Sequence, residues 1–580
     1  MQTTLSNTSL SIMAPQASSA HAFNLPRIRE TIKLPYTKSD LSPRHIFYDV
    51  KFYPYHTSSD VPPIFAAVGD RQTLLCRPSL EKGRSMSVVA ALRDLETGSD
   101  GAVLNSCAWN FVDQTEPLIS LGGPSGQIKV ISALTGKIVT TLIGHGGFIQ
   151  DLATHPLYPW ILASASEDHS IRIWDLRRRI EEGENACLIL CGHGQSHKED
   201  ILTVAWHSGG RYLLSGGLDH MICVWTLPNL APDADTLDEE KQTDNSRSAA
   251  ETKVIHYPHF VTSAVHSNYV DCVCFYGDLV MSKAAEEGKI VLWRITGFSS
   301  KLPPPGPDRA PKTAEFKDTR NGFMAPSFRP RNGKGNGSSM TDAEEHVEEP
   351  QRPLFERLLE LQVPDSNPFY MRFSLLTPSP SYPDLHPVLA FGNHNSKIFF
   401  FDLTRLELGH DGRNSSSHDS TFAENGFLGP DDRRATKKGV ARRLNSATSS
   451  NWPSHLTGRG GGSISSPGTG SPAPPSSPSS RRSSSIVTGV SSNPQDGGRA
   501  NSTAATSLSA SGVVAGPVED RVKYKIDNPF EPVKAHHTVT VRSVYFTARQ
   551  AAWSACGRWC VVVGETGNDA LGVLCERWTS

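Results

Sequence analysis

Residues 144–176 read GHGGFIQDLATHPLYPWILASASEDHSIRIWDL. Inside this stretch a run rich in Ala, Leu, Ser and Gly is followed by a polar turn and then by a β-branched run that ends in an aromatic residue, the pattern of a strand hairpin. The same pattern recurs along the chain. One copy ends LLSGGLDHMICVWTL, and two histidines compete to open it: His145 to Trp174 spans 29 residues, His197 to Trp225 spans 28, and His193 to Trp225 spans 32, so spacing selects His197. A third copy runs from His266 through GDLVMSKAAEEGKIVLW to Trp293, a separation of 27, with Glu286 or Glu287 in the turn where the others carry Asp168 and Asp219. Weaker copies are IFAAVGDRQTLLC at 64–76, LISLGGPSGQIKVI at 118–131, VLAFGNHNSKIFFFDL at 388–403 and WCVVVGETGNDALGVLCERW at 559–578. Counting the ends of the β-branched runs gives seven.

The Gly-His opening and Trp-Asp close resemble a WD40 repeat, in which four short antiparallel strands make one propeller blade. The pattern has a local cause. A histidine on the connecting loop, an acid in the tight turn, a Ser or Thr and a Trp form a buried hydrogen-bonded relay, and a satisfied relay holds the hairpin register. In the first copy these places fall to His145, Asp168, Trp174 and either Ser164 or Ser166; in the next to His197, Asp219 and Trp225; in the third to His266 and Trp293. The expected fold is therefore all-β, a seven-bladed WD40 propeller with a disordered N-terminus and two long disordered loop insertions. Its expected parts are a disordered tail at 1–40, blades 1–5 at 41–298, an insertion at 299–350, blade 6 at 351–408, a Ser/Gly/Pro/Arg-rich insertion at 409–523 and blade 7 at 524–580. The chain just before Ile64, including RHIFYDVKFYPY, is expected to complete the first blade and close the ring, which removes exposed sheet edges.

Composition bounds the function classes. The chain has 580 residues, and 57 Lys and Arg against 59 Asp and Glu leave a net charge of -2. That balance excludes a globally basic nucleic-acid binder. Gly and Pro are concentrated with Ser, Asn and Arg in the two insertions, which hold too little apolar surface to offset the entropy of ordering. No apolar run approaches a membrane span, and the first residues lack a basic stretch ahead of an apolar one, so neither a span nor a secretory signal is expected. The ten cysteines include no C-x-x-C pair, which argues against a zinc knuckle and against a disulfide framework. There is no G-x-S-x-G, P-loop or H-E-x-x-H, and the histidines and acids are accounted for by the relays, so no catalysis, metal or cofactor is expected.

Aromatic residues outside the relays carry more information. Phe369, Tyr370 and Phe373 open the sixth copy, and Tyr48 has a similar place before the first. Exposed aromatics from separate blades can make a cage for a quaternary ammonium, each contact contributing about 0.5–2 kcal/mol. The segments IHYPHFVTSAVHSNYVDCVCFYGDLVMSK at 255–283, NPFYMRFSLL at 367–376 and GHGGFIQDLATHP at 144–156 resemble those of the extra sex combs / EED family, the WD40 subunit of Polycomb repressive complex 2. The resemblance covers all seven copies.

That resemblance implies two working surfaces. One face receives a trimethylated lysine of a histone H3 tail in an aromatic cage, and the other receives a helical N-terminal segment of the SET-domain methyltransferase subunit. The cage falls on Tyr48 in place of a family Phe, Phe369 in place of a Trp, and Tyr370 unchanged, while the fourth aromatic is replaced by Asn105 in LNSCAW. Around it the resemblance places Gln150 (for an Asn), Tyr269, Asp271, Arg372 and Arg542 at the pocket rim. The implied function is a noncatalytic nuclear scaffold and methyl-lysine reader that stimulates the methyltransferase, partnered by the other subunits of the complex. The rival reading is a generic WD40 interaction adaptor without methyl-lysine binding.

Two segments depart from the family. In VRSVYFTARQAAWSACGRW at 541–559 the family pattern passes almost directly from VRS to AAWSACGR, so 544–550 reads as a seven-residue insertion expected to bulge from the last blade. The longer insertion carries Arg433, Arg434, Lys437, Lys438, Arg442 and Arg443, a basic cluster suited to nuclear import or weak nonspecific contact with phosphate. It also holds Ser466, Ser471 and Ser477 before prolines, and Ser483 after two arginines, as kinase-type patterns.

Overall fold

The computed structural model describes residues 24–34, 46–55, 61–93, 104–177, 186–230, 252–312, 319–324, 353–408 and 528–577, with short breaks at 70–71, 82–83, 85, 114–115, 192–195, 543 and 568. The basic cluster and the serines of the longer insertion lie outside these residues.

Seven antiparallel hairpins place the repeated pattern in seven sheets. In blade 3, Ile149–Thr154, Ile161–Ser166, Ile171–Asp175 and Ala186–Leu190 follow one another from the axis outward. The first strands of successive blades pack side by side around the axis, and Phe47–Phe52 of blade 1 lies against Thr547–Trp553 of blade 7. The apolar core sits between sheets. Ile173, Leu188, Leu213 and Trp225 join blades 3 and 4; Phe65, Phe47, Trp559 and Val561 join blades 1 and 7.

The relays form as the spacing requires. His145 Nδ1 meets Asp168 Oδ2 at 2.8 Å, its Nε2 meets Ser164 Oγ at 2.7 Å, and Trp174 Nε1 donates to the same hydroxyl at 2.8 Å. Ser164 is thus the relay serine; Ser166 instead donates to the Gly147 carbonyl at 3.1 Å. His197, Asp219, Ser215 and Trp225 repeat the arrangement, as do His266, Glu287, Ser282 and Trp293. Of the two candidate acids in the third turn, Glu287 takes the relay place, and Glu286 accepts from Asn268 at 3.2 Å.

These relays make stability pH-dependent. Burial lowers the His145 and His266 imidazoles below their ordinary value of 6.5, against the pull of Asp168 and Glu287. Burial would raise the Glu287 carboxyl, but its hydrogen bonds to His266 and Ser267 bring it from 4.5 to about 2. Both shifts mean that the unfolded chain binds protons first as pH falls, so stability is present above 6.5 and lost in acid. The share of the melting temperature carried by the His145 and His266 relays is expected to fall as pH drops through the ordinary histidine value, and that carried by Glu287 to fall further below 4.5. The His197 imidazole, which burial would lower but Cys223 and Asp219 raise well above 6.5, instead carries stability that is lost as pH rises. Melts of Glu287→Gln across the same range should show a shallower fall at the acid end.

Three expected boundaries are corrected. The ring is closed by Arg27–Leu34, which pairs antiparallel with Asp569–Glu576 as the outer strand of blade 7, so the segment expected as a tail at 1–40 contains a strand of the propeller. The eight residues RIRETIKL alternate in polarity but carry four charges, which lowers their apparent apolarity. Arg29 reaches Glu576 at 2.6 Å and stacks on Trp559 at 5.1 Å. RHIFYDVKFYPY supplies blade 1's innermost strand, Phe47–Phe52, and not the closing one.

The insertion at 299–350 is also partly structured. Arg320–Asn321 pairs with Phe260–Thr262 at the edge of blade 4, and Phe323 packs on Phe298 with centroids 4.9 Å apart. Sparse anchors of this kind vanish in a composition averaged over fifty residues. The outer strand of each later blade comes from beyond the expected boundary: Phe355–Gln362 completes blade 5, and His537–Thr540 completes blade 6. A further excursion after Thr226 returns as Lys253–Ile255, which adds a parallel edge strand to blade 3.

The third correction concerns 544–550. Thr547–Trp553 is the first strand of blade 7, paired from Thr547↔Glu565 to Trp553↔Cys560, with a one-residue bulge at Arg549. Phe546 is fully buried. The segment enters the sheet because its alternate residues Phe546, Ala548 and Ala551 are small or apolar enough to pack inward across the bulge.

Among the described residues the single α-helix is Leu403–Leu408, none is long and apolar enough to cross a membrane, and no cluster of His, Cys, Asp and Glu could hold a metal.

Candidate functional site

The bulge in blade 7 has counterparts. In the first strands of blades 1, 3, 4 and 5 the register slips by one residue at Tyr48, Gln150, Leu202 and Asp271. A bulge leaves one residue unpaired and re-aims it. Because first strands surround the axis, these bulges set Tyr48, Gln150, Leu202, Asp271 and Arg549 at one end of the ring, with Asn105 just ahead of the blade 2 strand Ser106–Phe111. Glycine makes the close approach possible at two of them. A Cβ on Gly69 would stand 2.3 Å from the Ile46 carbonyl oxygen, and one on Gly564 would stand 1.9 Å from that of Thr547.

Blade 6 enters this ring differently. Residues 369–373 precede the strand Ser374–Leu376, and Tyr370 has a φ of 68°, a left-handed conformation that costs a non-glycine residue about 1–3 kcal/mol. Its phenol hydroxyl donates to the Gln150 carbonyl and accepts from Asn105 Nδ2 at 2.9 Å. Burial pushes that phenol far above its ordinary value, so it stays a donor. The Arg372 guanidinium lies over the Tyr370 ring at 4.3 Å, pairs with Asp151 at 3.1 Å and donates to the carbonyls of Gln150 at 3.2 Å and Leu202 at 2.5 Å. Burial opposes the charge on Arg372, yet Asp151 holds it firmly protonated. Tyr370 is thus locked by blades 2 and 3, and Arg372 by blades 3 and 4.

Phe369 stands above this buried layer with 37% of its surface exposed. Its ring meets Tyr370 at 5.3 Å and Tyr269 at 5.7 Å, both edge to face. Arg549 donates to the Phe369 carbonyl at 2.7 Å and to Glu565 at 2.7 Å, while its own carbonyl accepts from the Arg372 amide at 2.8 Å.

Of the residues expected at this site, Phe369, Tyr370, Asn105, Gln150, Tyr269 and Arg372 are joined by direct contacts, and Tyr48 occupies its bulge position, partly exposed. Three expectations are revised. Arg542 is exposed beyond the outer strand of blade 6, and the arginine that meets Phe369 is Arg549; treating 544–550 as an insertion hid the Arg-Gln pair directly ahead of AAWSACGR. Asp271 lies beneath the rim, fully buried, with both carboxylate oxygens 3.1 Å from the equally buried Lys283. It also accepts from the Met371 amide at 3.4 Å, tying blade 5 to the Phe369 segment. Gln150 contributes its main-chain carbonyl, so its replacement of a family Asn leaves that contact unchanged. Lys283 went unnoticed because a lysine within a strand of the repeat reads as a solvated residue.

Residues 136–175 and 187–226 match the family described as WD domain, G-beta repeat. The Polycomb protein EED of Chaetomium thermophilum is 32% identical over 572 residues, covering 92% of this chain and 91% of that protein. This chain belongs to the Polycomb EED family. The Polycomb protein esc of Drosophila melanogaster is 30% identical over 40% of the chain and 53% of its own length. Among solved structures, the crystal structure of the Chaetomium thermophilum Polycomb repressive complex 2 contains a chain 28% identical, with a TM-score of 0.63, covering 96% of this chain and 98% of that one. The same complex bound to H3K27me3 contains a chain 29% identical, with a TM-score of 0.62, covering 96% and 99%. As an EED-family propeller, the chain places its bulge residues where the blades of the ring converge.

Proposed function

We propose that the ring formed by Tyr48, Phe369, Tyr370 and Tyr269 reads a methylated lysine of a histone H3 tail. The chain serves as the noncatalytic scaffold and reader subunit of a Polycomb repressive complex 2-type histone methyltransferase. One observation carries the site assignment: Phe369 is exposed at the mouth of the ring, while the Tyr370 ring below it is immobilised by Asn105, Gln150 and Arg372. A fixed aromatic floor beneath an accessible aromatic wall suits a methylammonium, which gains cation–π attraction without ordering either ring. The SET-domain subunit docks through a helical segment on the opposite face, and engagement of the mark favours its active arrangement, so the two sites are energetically linked. The complex works on chromatin, and the nucleus is the corresponding location.

Titration calorimetry with methylated and unmodified H3 peptides tests the reading. Methylated peptide is expected to bind at least about tenfold tighter, and Tyr370→Ala to erase that difference, since a lost cation–π contact and its neighbours are worth ~1–2 kcal/mol. Equal affinity for modified and unmodified peptide would refute the reader role.

A further inference from the structure

Among the described residues three aromatic side chains stand well exposed: Phe369, Phe530 and Tyr545. Phe530 lies out by the outer strand of blade 5, three residues before the bridge from Val533 to Leu361. Tyr545, 60% exposed, stands at the end of the ring that carries Phe369, just ahead of the blade 7 strand Thr547–Trp553. A single exposed apolar residue is ordinary. What sets Tyr545 apart is the way its backbone is held.

Ser396, in the turn between Val388–Gly392 and Lys397–Asp402 of blade 6, bonds to the chain on both sides of Tyr545. Its hydroxyl donates to the Val544 carbonyl at 3.1 Å and accepts from the Phe546 amide at 2.8 Å. The Ser396 amide donates to the Phe546 carbonyl at 3.0 Å, and its carbonyl accepts from the Val541 amide at 2.8 Å. With Phe546 fully buried and the backbone pinned on either side, the Tyr545 ring is turned outward. An aromatic displayed on a pinned backbone offers contact area at a low ordering cost.

Its position relates it to the proposed cage. Arg549, four residues further on, donates to the Phe369 carbonyl at 2.7 Å. At about 3.3 Å per residue, that stretch spans at most about 13 Å, and an extended peptide covers the same distance in about four residues. Charge narrows what the ring accepts. Arg542, exposed three residues before Tyr545, makes the surroundings cationic and disfavours a lysine or arginine there.

We infer that Tyr545 is a second contact on the H3 tail, packing against an uncharged side chain about four residues from the methylated lysine. This rests on the methyl-lysine reading proposed above and specifies the course of its ligand, which runs from Phe369 past the entry to blade 7. Tyr545 then contributes affinity for the flanking sequence, whereas the cage contributes affinity for the mark.

The experiment is calorimetry of the full chain with three methylated H3 peptides. One carries two residues on each side of the lysine; the others carry six residues on one side, before or after, and two on the other. One of the two longer peptides is expected to bind about fivefold tighter than the short one, the scale of covering part of one aromatic ring. That gain should vanish in Tyr545→Ala, persist in Tyr545→Phe, and shrink when a lysine is placed four residues from the mark on that side. The short peptide should bind wild type and Tyr545→Ala equally. Absence of a gain from either extension overturns the inference, as does a gain that survives in Tyr545→Ala. A loss of short-peptide binding in Tyr545→Ala also overturns it, by making Tyr545 a support of the cage. In each case a preference for methylated over unmodified short peptide leaves the reader role standing; without that preference the reader role falls together with the inference.

Discussion

Replacing Arg372 by alanine is expected to cost about 3–5 kcal/mol, the range found when one partner of a buried ion pair is removed. The side chain joins blade 6 to blades 3 and 4 through Asp151 and the carbonyls of Gln150 and Leu202, and it is 4% exposed. Among the described residues its loss leaves Asp151 with Lys51, at 3.9 Å, as the one cation within ion-pair distance, and two carbonyls lose a donor. Arg372→Lys keeps the charge but not the planar fork, so it should recover only part of the stability. Thermal melts read the effect directly. Methylated-peptide binding should fall as well, because the guanidinium that backs the Tyr370 ring is gone. A melting curve for Arg372→Ala matching the wild type would contradict the prediction.

The second large effect is expected at Lys283, which with Asp271 forms an ion pair shielded completely from solvent. Lys283→Ala strands a buried carboxylate, and a loss of about 3–5 kcal/mol follows from its desolvation. The distinguishing measurement is the double variant Lys283→Met with Asp271→Leu. If the pair acts mainly to neutralise itself, the double variant should regain most of the stability lost by the single one. Its peptide binding should nonetheless stay impaired, because Asp271 also holds the Met371 amide beneath Phe369. A double variant as unstable as Lys283→Ala would show that packing, and not the unpaired charge, sets the cost.

The two predictions bear on residues whose place sequence reading misjudged, and the misjudgement has one source. Arg372 and Asp271 were recognised by resemblance and assigned to the rim, where a charged residue is ordinarily solvated. Asp151, the partner of Arg372, is 221 residues away on another blade, whereas Asp271 and Lys283 are 12 residues apart on neighbouring strands of one hairpin and are hidden from solvent by the blades packed around them. Nothing in the local pattern distinguishes a buried charge with a partner from a solvated one.

Asn105 shows the reverse case. Its departure from an aromatic was visible in LNSCAW, and so was the loss of a π face. What the sequence could not supply is the orientation of the amide, which depends on a single hydroxyl proton passing from Tyr370 to a carbonyl on blade 3. The same holds for Tyr269, whose ring meets Phe369 only because the bulge at Asp271 and the turn at Tyr370 bring blades 5 and 6 together.

By itself the sequence determined the all-β class, the seven hairpins, the identity of His145, Asp168 and Trp174 and their counterparts as relays, and the family. Each of these is encoded within about thirty residues, where an alternating strand pattern and a hydrogen-bonded relay are complete in themselves. Tertiary structure alone decided that Arg27–Leu34 closes the ring, that Arg549 takes the place expected of Arg542, and that Asp271 and Arg372 are buried links. The ring closure, the Arg549–Phe369 contact and the Arg372–Asp151 pair join residues 180 or more apart on different strands, while the Asp271–Lys283 pair is local to one hairpin and becomes a buried link only when the blades pack around it.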